Sequence, residues 1–342
     1  MDWYKKSPRV WLWAGWLVLI VALGWANIWL FNRNFFKDAP GRLPQIKLNM
    51  VSASSFVIQN KIYGTETLNE SLNILVLGQA GSGHIAPNLT DTIAVIRLDA
   101  SGKKIKVVSI PRDLAVKTNG GVTKINSLYQ TGLKDSEKAG FDLIKRKVEE
   151  VTGLTLDSFV LFDLTTVQKV IDDIGGLNVF VKEDILDTRF PTDRGSYEIF
   201  KLNKGQRYLD GETALKFVRT RNSLGGDFDR MERQQEVLKA IKGKIISLNP
   251  IWDFPKLWGI FKTAQKNIRT NLSLNDLKNI WNFAKDMDLE KIETLSLNPE
   301  NELVTPQKMN FGSAAAYVLV AKKQPFDYTD IHKAVAVFVN SK

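Results

Sequence analysis

The feature that most restricts how this chain can fold is an uncharged apolar run near its start. No residue between positions 10 and 31 carries a charge, and tryptophans such as Trp11 and Trp29 lie toward the two ends of the run. At the rise of an α-helix the run reaches about 33 Å, which spans the hydrocarbon core of a bilayer, and tryptophans favour the membrane interfaces. The pattern therefore predicts one transmembrane helix over residues 10–31.

The segments on either side of this helix predict its orientation. Residues 1–9 form a short basic head, and residues 32–68, which contain Pro40 and Pro44, are typical of a stalk. We expect the head in the cytoplasm and residues 69–342 in an extracytoplasmic domain, because the head is short and the globular bulk follows the helix. A cleaved signal peptide is the alternative, but the run is long for one and lacks a convincing cleavage site.

Composition excludes several classes of chemistry. Cysteine is absent and only two histidines occur, which excludes disulfides, thiolate metal sites, cysteine nucleophiles and histidine-rich metal centres. The glycines Gly78, Gly81 and Gly83 match neither the dinucleotide-binding nor the P-loop pattern. The net charge of +10 suits contact with nucleic acid, acidic lipid or phosphate-rich glycan, and charge alone does not choose among these.

Strand-like and helical patterns alternate after the stalk. We expect strands at residues 72–78, 91–98, 104–110, 158–163 and 177–181, helices at 139–152, 165–174, 255–265 and 274–285, a further strand in I-E-T-L-S-L, and a loop at 184–196. This alternation predicts an α/β layered domain with a central mixed β-sheet flanked by helices, preceded by the transmembrane helix.

A carboxylate and a guanidinium mark the two ends of a predicted hairpin. Asp91 begins its first strand and Arg112 follows its second, so antiparallel pairing places them together at one edge of the sheet. Lys124 is a candidate for the same basic site. The pair is either functional or a structural salt bridge, and an isolated lysine is also common on protein surfaces.

Residues 219–234 concentrate four arginines around a pair of glycines. Asp210 is placed to cap a short helix that leads into Arg219. Because Arg219 and Arg221 are two positions apart, both guanidinium groups leave the same face if that segment is extended. Arginine is suited to bidentate recognition of phosphate, so this spacing indicates an anion site.

The end of the same stretch predicts the start of a helix. Asp229 and Glu232 have the spacing of a capping box, which places Arg230 and Arg233 in the first turn and Gln234 on the face of Arg230. Cations at this end oppose the helix dipole unless an anion lies between them. The alternative is that the arginines form a solvated face or pair with the neighbouring carboxylates.

The ordered motifs resemble the LytR-CpsA-Psr (LCP) family over residues 72–248. They are L-N-I-L-V-L-G, T-D-T-I-A-V, V-V-S-I-P-R-D, K-I-N-S-L-Y, D-D-I-G-G-L-N-V, G-Q-R-Y-L-D-G-E-T-A-L-K-F-V-R-T-R and D-F-D-R-M-E-R-Q-Q-E-V. The resemblance implies a membrane-anchored, extracytoplasmic phosphotransferase. Such an enzyme moves a glycopolymer from a polyprenyl-pyrophosphate carrier to a sugar hydroxyl of peptidoglycan during cell-wall assembly.

The resemblance also implies roles for individual residues. Those that would hold the pyrophosphate are Arg112, Arg219, Arg221, Arg230 and Gln234, with Lys124 and Arg233 as further candidates. Asp91 would bind Mg²⁺, and Asp227 would support the arginines or act in proton transfer. The acceptor hydroxyl needs a base, and both Asp91 and Asp227 remain candidates for it.

This sequence departs from the family pattern at two places. Many members carry a second aspartate after the first strand and an arginine before the T-D-T motif, where this chain has Q-A at residues 79–80 and Leu89. Asp91 alone, with phosphate oxygens and water, would then bind Mg²⁺, or Asp113 or His84 would contribute.

Two other functions compete with the transferase. A non-catalytic surface protein that binds lipid-linked or anionic wall polymer is compatible with the missing charges. A nucleic-acid partner is not expected, because the sequence shows no basic recognition helix or aromatic-interleaved basic strands and the predicted membrane helix places the domain outside the cytoplasm.

Overall fold

A computed structural model describes residues 71–79, 81, 86–192, 196–220, 227–248, 253–284, 292–311 and 314–341. The predicted head, transmembrane helix and stalk lie outside these ranges, as do His84 and Arg221. Within the ranges given, no helix is both long and apolar enough to cross a membrane.

The strands are, in chain order, β1 Leu72–Gln79, β2 Thr90–Asp99, β3 Lys104–Ser109, β4 Ala115–Thr118, β5 Gly121–Lys124, β6 Ser158–Asp163, β7 Leu177–Val181, β8 Ile185–Pro191, β9 Tyr197–Leu202, β10 Gly205–Leu209, β11 Arg269–Thr270, β12 Glu293–Ser296, β13 Val304–Phe311 and β14 Ala314–Ala321. The helices are α1 Leu128–Leu133, α2 Glu137–Thr152, α3 Leu164–Asp173, α4 Gly211–Arg219, α5 Asp227–Ser247, α6 Phe254–Asn267, α7 Leu274–Ala284 and α8 Thr329–Asn340. The described chain divides into two compact units, the first containing residues 71–159 and 292–341 and the second residues 160–284.

A mixed sheet forms the centre of the first unit. Its strands lie in the order β1, β2, β3, β12, with antiparallel pairing from β1 to β3 and a parallel pair between β3 and β12. Residues such as Val76, Leu77 and Val95 are fully buried, which explains why β1 and β2 are almost continuously apolar. The predicted mixed sheet, and the predicted hairpin of β2 and β3, are confirmed.

One helix of the first unit was predicted, and two, α1 and α8, were not indicated by the pattern. Helix α2 covers the predicted residues 139–152, begins after the capping residue Ser136 and ends at Gly153, whose φ of 72° suits glycine. The C-terminal α8 and the hairpin of β13 and β14 were not predicted. They complete this unit from the distant end of the chain.

The second unit follows the predicted alternation through β6, α3 and β7, and α6 and α7 also form where helices were expected. The predicted loop at residues 184–196 is wrong, because residues 185–191 form β8 and pair with β9. Ile185, Asp187 and Phe190 are buried on one side of β8, whereas Leu186 and Arg189 are exposed. The segment is polar because only one of its faces is covered, as is common for an antiparallel strand.

Candidate functional site

Asp91 lies at an irregularity in the pairing of β1 with β2. Gly78 pairs with Thr92 and Gln79 pairs with Thr90, so Asp91 is the extra residue of a β-bulge. Bulges redirect side chains and are common next to functional sites. The Asp91 side chain is 31% exposed. The bulge therefore presents this carboxylate at the end of the strand pair.

Charges of alternating sign surround Asp91 in what we call the Asp91–Lys124 cluster, formed by Asp91, Arg112, Asp113 and Lys124. Arg112 Nη1 lies 3.1 Å from Asp91 Oδ1, and Arg112 Nε lies 3.5 Å from Asp113 Oδ2. Lys124 Nζ donates to Asp113 Oδ1 at 2.5 Å. The predicted neighbourhood of Asp91 and Arg112 is confirmed, and Lys124 joins it through Asp113. All four side chains stay partly exposed, so an anion can reach both cations from solvent.

A short hairpin brings Lys124 to the cluster. Strands β4 and β5 pair with Ala115 opposite Lys124, and the turn between the strands is Asn119-Gly120. Asn-Gly between two strands is the strongest short hairpin signal, so the sequence contained the information that places Lys124 beside Asp113. The Arg112 carbonyl accepts from Asn126 N–H at 3.3 Å, which ties the segment after β3 to the end of this hairpin.

Gln79, the last residue of β1, carries a side-chain amide oxygen. It pairs with Thr90, the residue that precedes Asp91, and its Oε1 atom is buried without a hydrogen-bond partner in the structure as described. Leaving such an atom unsatisfied costs about 1–3 kcal/mol. Nowhere in the described ranges do three acidic or histidine side chains gather as a metal-binding group. Gln79 thus places a neutral amide, rather than a second carboxylate, at the position paired with the residue before Asp91.

In the second unit, Arg219 is the last residue of helix α4. Asp210 caps this helix as predicted, accepting from Thr213 N–H at 2.8 Å. The extended geometry under which Arg219 and Arg221 would share one face does not apply at Arg219, because good helix formers carry α4 through this position and a cation in the last turn is stabilised by the helix dipole. The Arg219 guanidinium carbon lies 5.4 Å from the centre of the Phe190 ring, a cation–π contact.

Arg233 occupies a different place from the one predicted. Helix α5 begins at Asp227, two residues before Asp229, because acidic residues suit the first turn of a helix. Arg230 therefore remains in the first turn and Arg233 falls in the second. Arg233 is only 7% exposed, and its Nη2 donates to the Thr220 carbonyl at 2.9 Å. Arg233 thus anchors the backbone directly after Arg219.

A buried carboxylate that the sequence reasoning missed supports the same segment. Asp187 Oδ2 accepts from Thr220 Oγ1 at 2.7 Å, and both residues are buried. The available signal was the spacing of Asp187 from Ile185, which places the two on the same side of a strand. The side chains of Asp227, Arg230 and Gln234 lie outside the described part of the structure.

The sequence is similar to one protein family and to several named proteins. The model of the LytR_cpsA_psr family matches residues 46–325. The chain is 32% identical over 222 residues to the polyisoprenyl-teichoic acid–peptidoglycan teichoic acid transferase TagV of Bacillus subtilis, a match that covers 64% of this chain and 54% of TagV. It is 31% identical to TagT, named as the same kind of transferase of that organism, over 67% of this chain and 68% of TagT. It is 30% identical to the regulatory protein MsrR of Staphylococcus aureus, over 56% of this chain and 54% of MsrR.

Solved structures show the same fold. The crystal structure of B. subtilis TagV aligns with a TM-score of 0.53 at 26% identity, covering 80% of this chain and 98% of that one. A structure of TagT bound to LI-WTA aligns with a TM-score of 0.54 at 26% identity, covering 80% of this chain and 92% of the other. The mixed α/β architecture is thus shared with proteins named as transferases.

Proposed function

This chain belongs to the LytR_cpsA_psr family, and from that premise we propose that it transfers a glycopolymer from a polyprenyl-pyrophosphate carrier to a sugar hydroxyl of peptidoglycan. The product is a phosphodiester link in the cell wall. The observation that carries the proposal is the contact of Arg112 with Asp91 at a β-bulge. The names of TagV and TagT as teichoic acid transferases support it.

The charged residues suit displacement at phosphorus. That reaction depends on positioning and on neutralising the phosphoryl charge more than on covalent catalysis. Arg112 is held by carboxylates on two sides while 43% of its side chain remains exposed, so its guanidinium is oriented before a phosphate arrives. We propose pyrophosphate binding for Arg112 and Lys124 from the geometry of their cluster. For Arg219, Arg221, Arg230 and Gln234 the same role is proposed from the family motifs alone.

Buried Arg233 is better suited to anchoring this segment than to touching the substrate. Its side chain is almost entirely covered, and it donates to the carbonyl that follows Arg219. We therefore propose that Arg233 is a positioning residue for Arg219. Asp91 and Asp227 both remain candidates for the base that accepts the proton of the attacking hydroxyl.

The partly exposed Asp91 carboxylate is the kind of oxygen ligand that suits a magnesium ion. Mg²⁺ prefers hard oxygen ligands, binds through one or two carboxylates and keeps several waters. Asp91 would hold the ion, with the unpartnered Gln79 Oε1 as a neighbouring neutral oxygen. Bound there, Mg²⁺ would neutralise charge on the phosphoryl oxygens. Because a neutral amide replaces a second carboxylate, we propose that this chain binds Mg²⁺ weakly.

The N-terminal sequence supports a proposal for where the reaction takes place. We propose that residues 10–31 anchor the chain in the cell membrane with the N-terminus in the cytoplasm. The donor and acceptor would then be a membrane-embedded lipid and the peptidoglycan outside the membrane.

The proposal is tested by incubating the full chain with a polyprenyl-pyrophosphate glycan and a peptidoglycan oligomer, with Mg²⁺ or with chelator. Mass spectrometry is expected to detect polyprenyl phosphate and the joined product only with Mg²⁺.

Arg112→Ala is expected to lower the rate of this transfer by about 100-fold or more, as loss of one preorganised charge donor does. Arg146→Ala, at an exposed position of α2, is the matched control and is expected to retain the full rate.

The double variant Arg219→Ala with Arg221→Ala extends the test to the second unit, and it is also expected to abolish transfer in a folded protein. Full activity in this variant or in Arg112→Ala would contradict the site assignment.

A second candidate function, binding of lipid-linked polymer without turnover, is favoured by the neutral Gln79 and by the name of MsrR as a regulatory protein. Tight binding of the donor with no product under any Mg²⁺ concentration would establish that function instead.

A further inference from the structure

Large apolar side chains lie together on the outer face of the hairpin formed by β8 and β9. Leu186, Tyr197 and Ile199 are 52, 63 and 70% exposed. Alternation along β9 places Tyr197, Ile199 and Lys201 on one side of the strand, and Leu186 pairs with Lys201 across the hairpin. Exposed apolar groups concentrated on one face mark an interaction surface more often than isolated ones do.

The charges on this outer face are positive. The guanidinium carbon of Arg189 lies 5.3 Å from the centre of the Tyr197 ring, and Lys201 is exposed. The two strands contain the carboxylates Asp187 and Glu198, which both fall on the other side of the hairpin, Asp187 being buried. The outer face therefore combines apolar groups with cations, which is complementary to an apolar layer bounded by anions.

The inner face of the same hairpin supports the arginine segment. Phe190 contacts the Arg219 guanidinium, and Asp187 accepts a hydrogen bond from Thr220. Phe190 and Phe200 pack together with ring centres 5.8 Å apart, so the two strands are joined by a covered apolar layer. One face of the hairpin thus contacts the segment that carries Arg219, and the opposite face is available to a binding partner.

We propose that the outer face of the β8–β9 hairpin rests on the surface of an anionic lipid bilayer. Tyrosine places its ring at the headgroup level, and lysine and arginine extend to the phosphates while their aliphatic stems cover apolar surface. A glycan would stack on Tyr197 but would leave the aliphatic Leu186 and Ile199 in water, whereas the boundary of a bilayer covers all three. The contact does not depend on transferase activity, and it is measured without it.

A single fluorescent label tests this contact directly, because the chain contains no cysteine. Ile199→Cys in the full chain is labelled with bimane and reconstituted into vesicles of phosphatidylglycerol and phosphatidylcholine that contain doxyl-labelled lipid. Val337→Cys is the matched control, since Val337 is an aliphatic residue 73% exposed on α8 in the first unit. We expect the label at 199 to be quenched at least threefold more than the label at 337.

Two further changes distinguish contact with lipid from contact with protein or polymer. Leu186→Ser with Tyr197→Ser is expected to reduce the quenching at 199 while leaving the thermal unfolding midpoint unchanged, because both side chains point away from the core. Vesicles without phosphatidylglycerol are expected to reduce it as well. Equal lipid quenching at 199 and 337 would overturn the proposal. So would a label at 199 that is shielded from aqueous iodide yet not quenched by doxyl lipid, because a second copy of the chain or a polymer would then cover this face.

Discussion

Gln79 shows how one residue changes the chemistry available at a site. Its buried Oε1 has no partner in the structure as described, and Gln79 pairs with Thr90, the residue that precedes the candidate magnesium ligand Asp91. An amide and a carboxylate of similar size occupy the same space but differ by one charge. The neutral amide is therefore expected to bind a cation less tightly than a carboxylate would. In return, it avoids the free-energy cost of burying an additional charge.

Gln79→Glu is expected to strengthen Mg²⁺ binding about tenfold, since a gain of about 1.4 kcal/mol from one added charge beside the ion corresponds to a factor of ten. Isothermal titration of the protein with Mg²⁺ alone measures the change without requiring turnover. Gln206→Glu, at an exposed position on β10, is the control and is expected to leave the affinity unchanged. Equal affinities in the two variants would show that Gln79 does not face the ion and that Asp91 acts without it.

At the scale of elements, helix α4 determines where Arg219 lies. Asp210 caps its start, Glu212 lies in its first turn, and Lys216 and Arg219 lie in its last turn, so the charges match the dipole at both ends. Hydrogen bonds from the Thr213 side chain, and then from its backbone N–H, hold the pKa of Asp210 below its ordinary value of 3.8. The carboxylate form is therefore the one that the folded helix favours.

Asp210→Ala is expected to lower the free energy of unfolding by about 1 kcal/mol at pH 7, the usual cost of losing an N-cap. Because the folded-state pKa of Asp210 lies below 3.8, its charge-dependent stabilisation is complete above about pH 4 and is lost as pH falls through that folded value. The difference between wild type and variant is thus expected to shrink below about pH 4. Urea unfolding from pH 7 to pH 3 measures it.

Asp210→Asn is the matched control for this cap. Asparagine retains a side-chain oxygen that can accept from the Thr213 N–H but carries no charge, so we expect a smaller loss of stability that does not depend on pH in this range. A pH-independent loss in Asp210→Ala would show that the charge of Asp210 does not contribute to the cap.

At the scale of the whole molecule, segments far apart in sequence complete the first unit. Lys106 in the middle of β3 is fully buried, and its ammonium donates to the Phe338 carbonyl at 2.9 Å, to Ser341 Oγ at 2.8 Å and to the Ser341 carbonyl. These acceptors lie at the C-terminal end of α8, where a cation also complements the helix dipole. Lys106 on the central sheet thus holds the C-terminal end of α8 through hydrogen bonds.

Lys106→Met is expected to lower the free energy of unfolding by about 2–3 kcal/mol, because it removes a fully buried ammonium together with the charge-assisted hydrogen bonds that this group donates to the end of α8. Lys104→Met, two positions earlier on the same strand, is the control. Lys104 is partly exposed and pairs with Glu293 at 2.5 Å, so its loss is expected to cost at most about 1 kcal/mol. Denaturant unfolding of both variants compares them, and equal costs would contradict the anchoring role of Lys106.

Local chemistry made part of this architecture predictable. The central hairpin, α2 with its stop at Gly153, and the cap of α4 follow from alternation, helical spacing and capping residues within a few positions of one another. The meeting of Asp91 with Arg112 followed from hairpin geometry. The Asn119-Gly120 turn that places Lys124 was equally readable, although it was overlooked.

Other features depended on packing partners that local patterns did not indicate. The polar segment at 184–196 forms a strand because β9 and a covered inner face are available to it. Arg233 is buried because the Thr220 carbonyl lies within its reach, and charge patterns near a helix start carry no information about such a partner.

The sequence by itself determined the family, the mixed α/β class, the predicted membrane segment and the set of charged residues available for phosphate, because periodicity and motif order are properties of the chain alone. Only the tertiary structure decided which of those charges lie together and which are buried. It showed that Asp91 is turned outward by a bulge, that Arg219 ends a helix and that Arg233 anchors backbone. The physical reason is that burial and hydrogen bonding depend on which distant segments pack together.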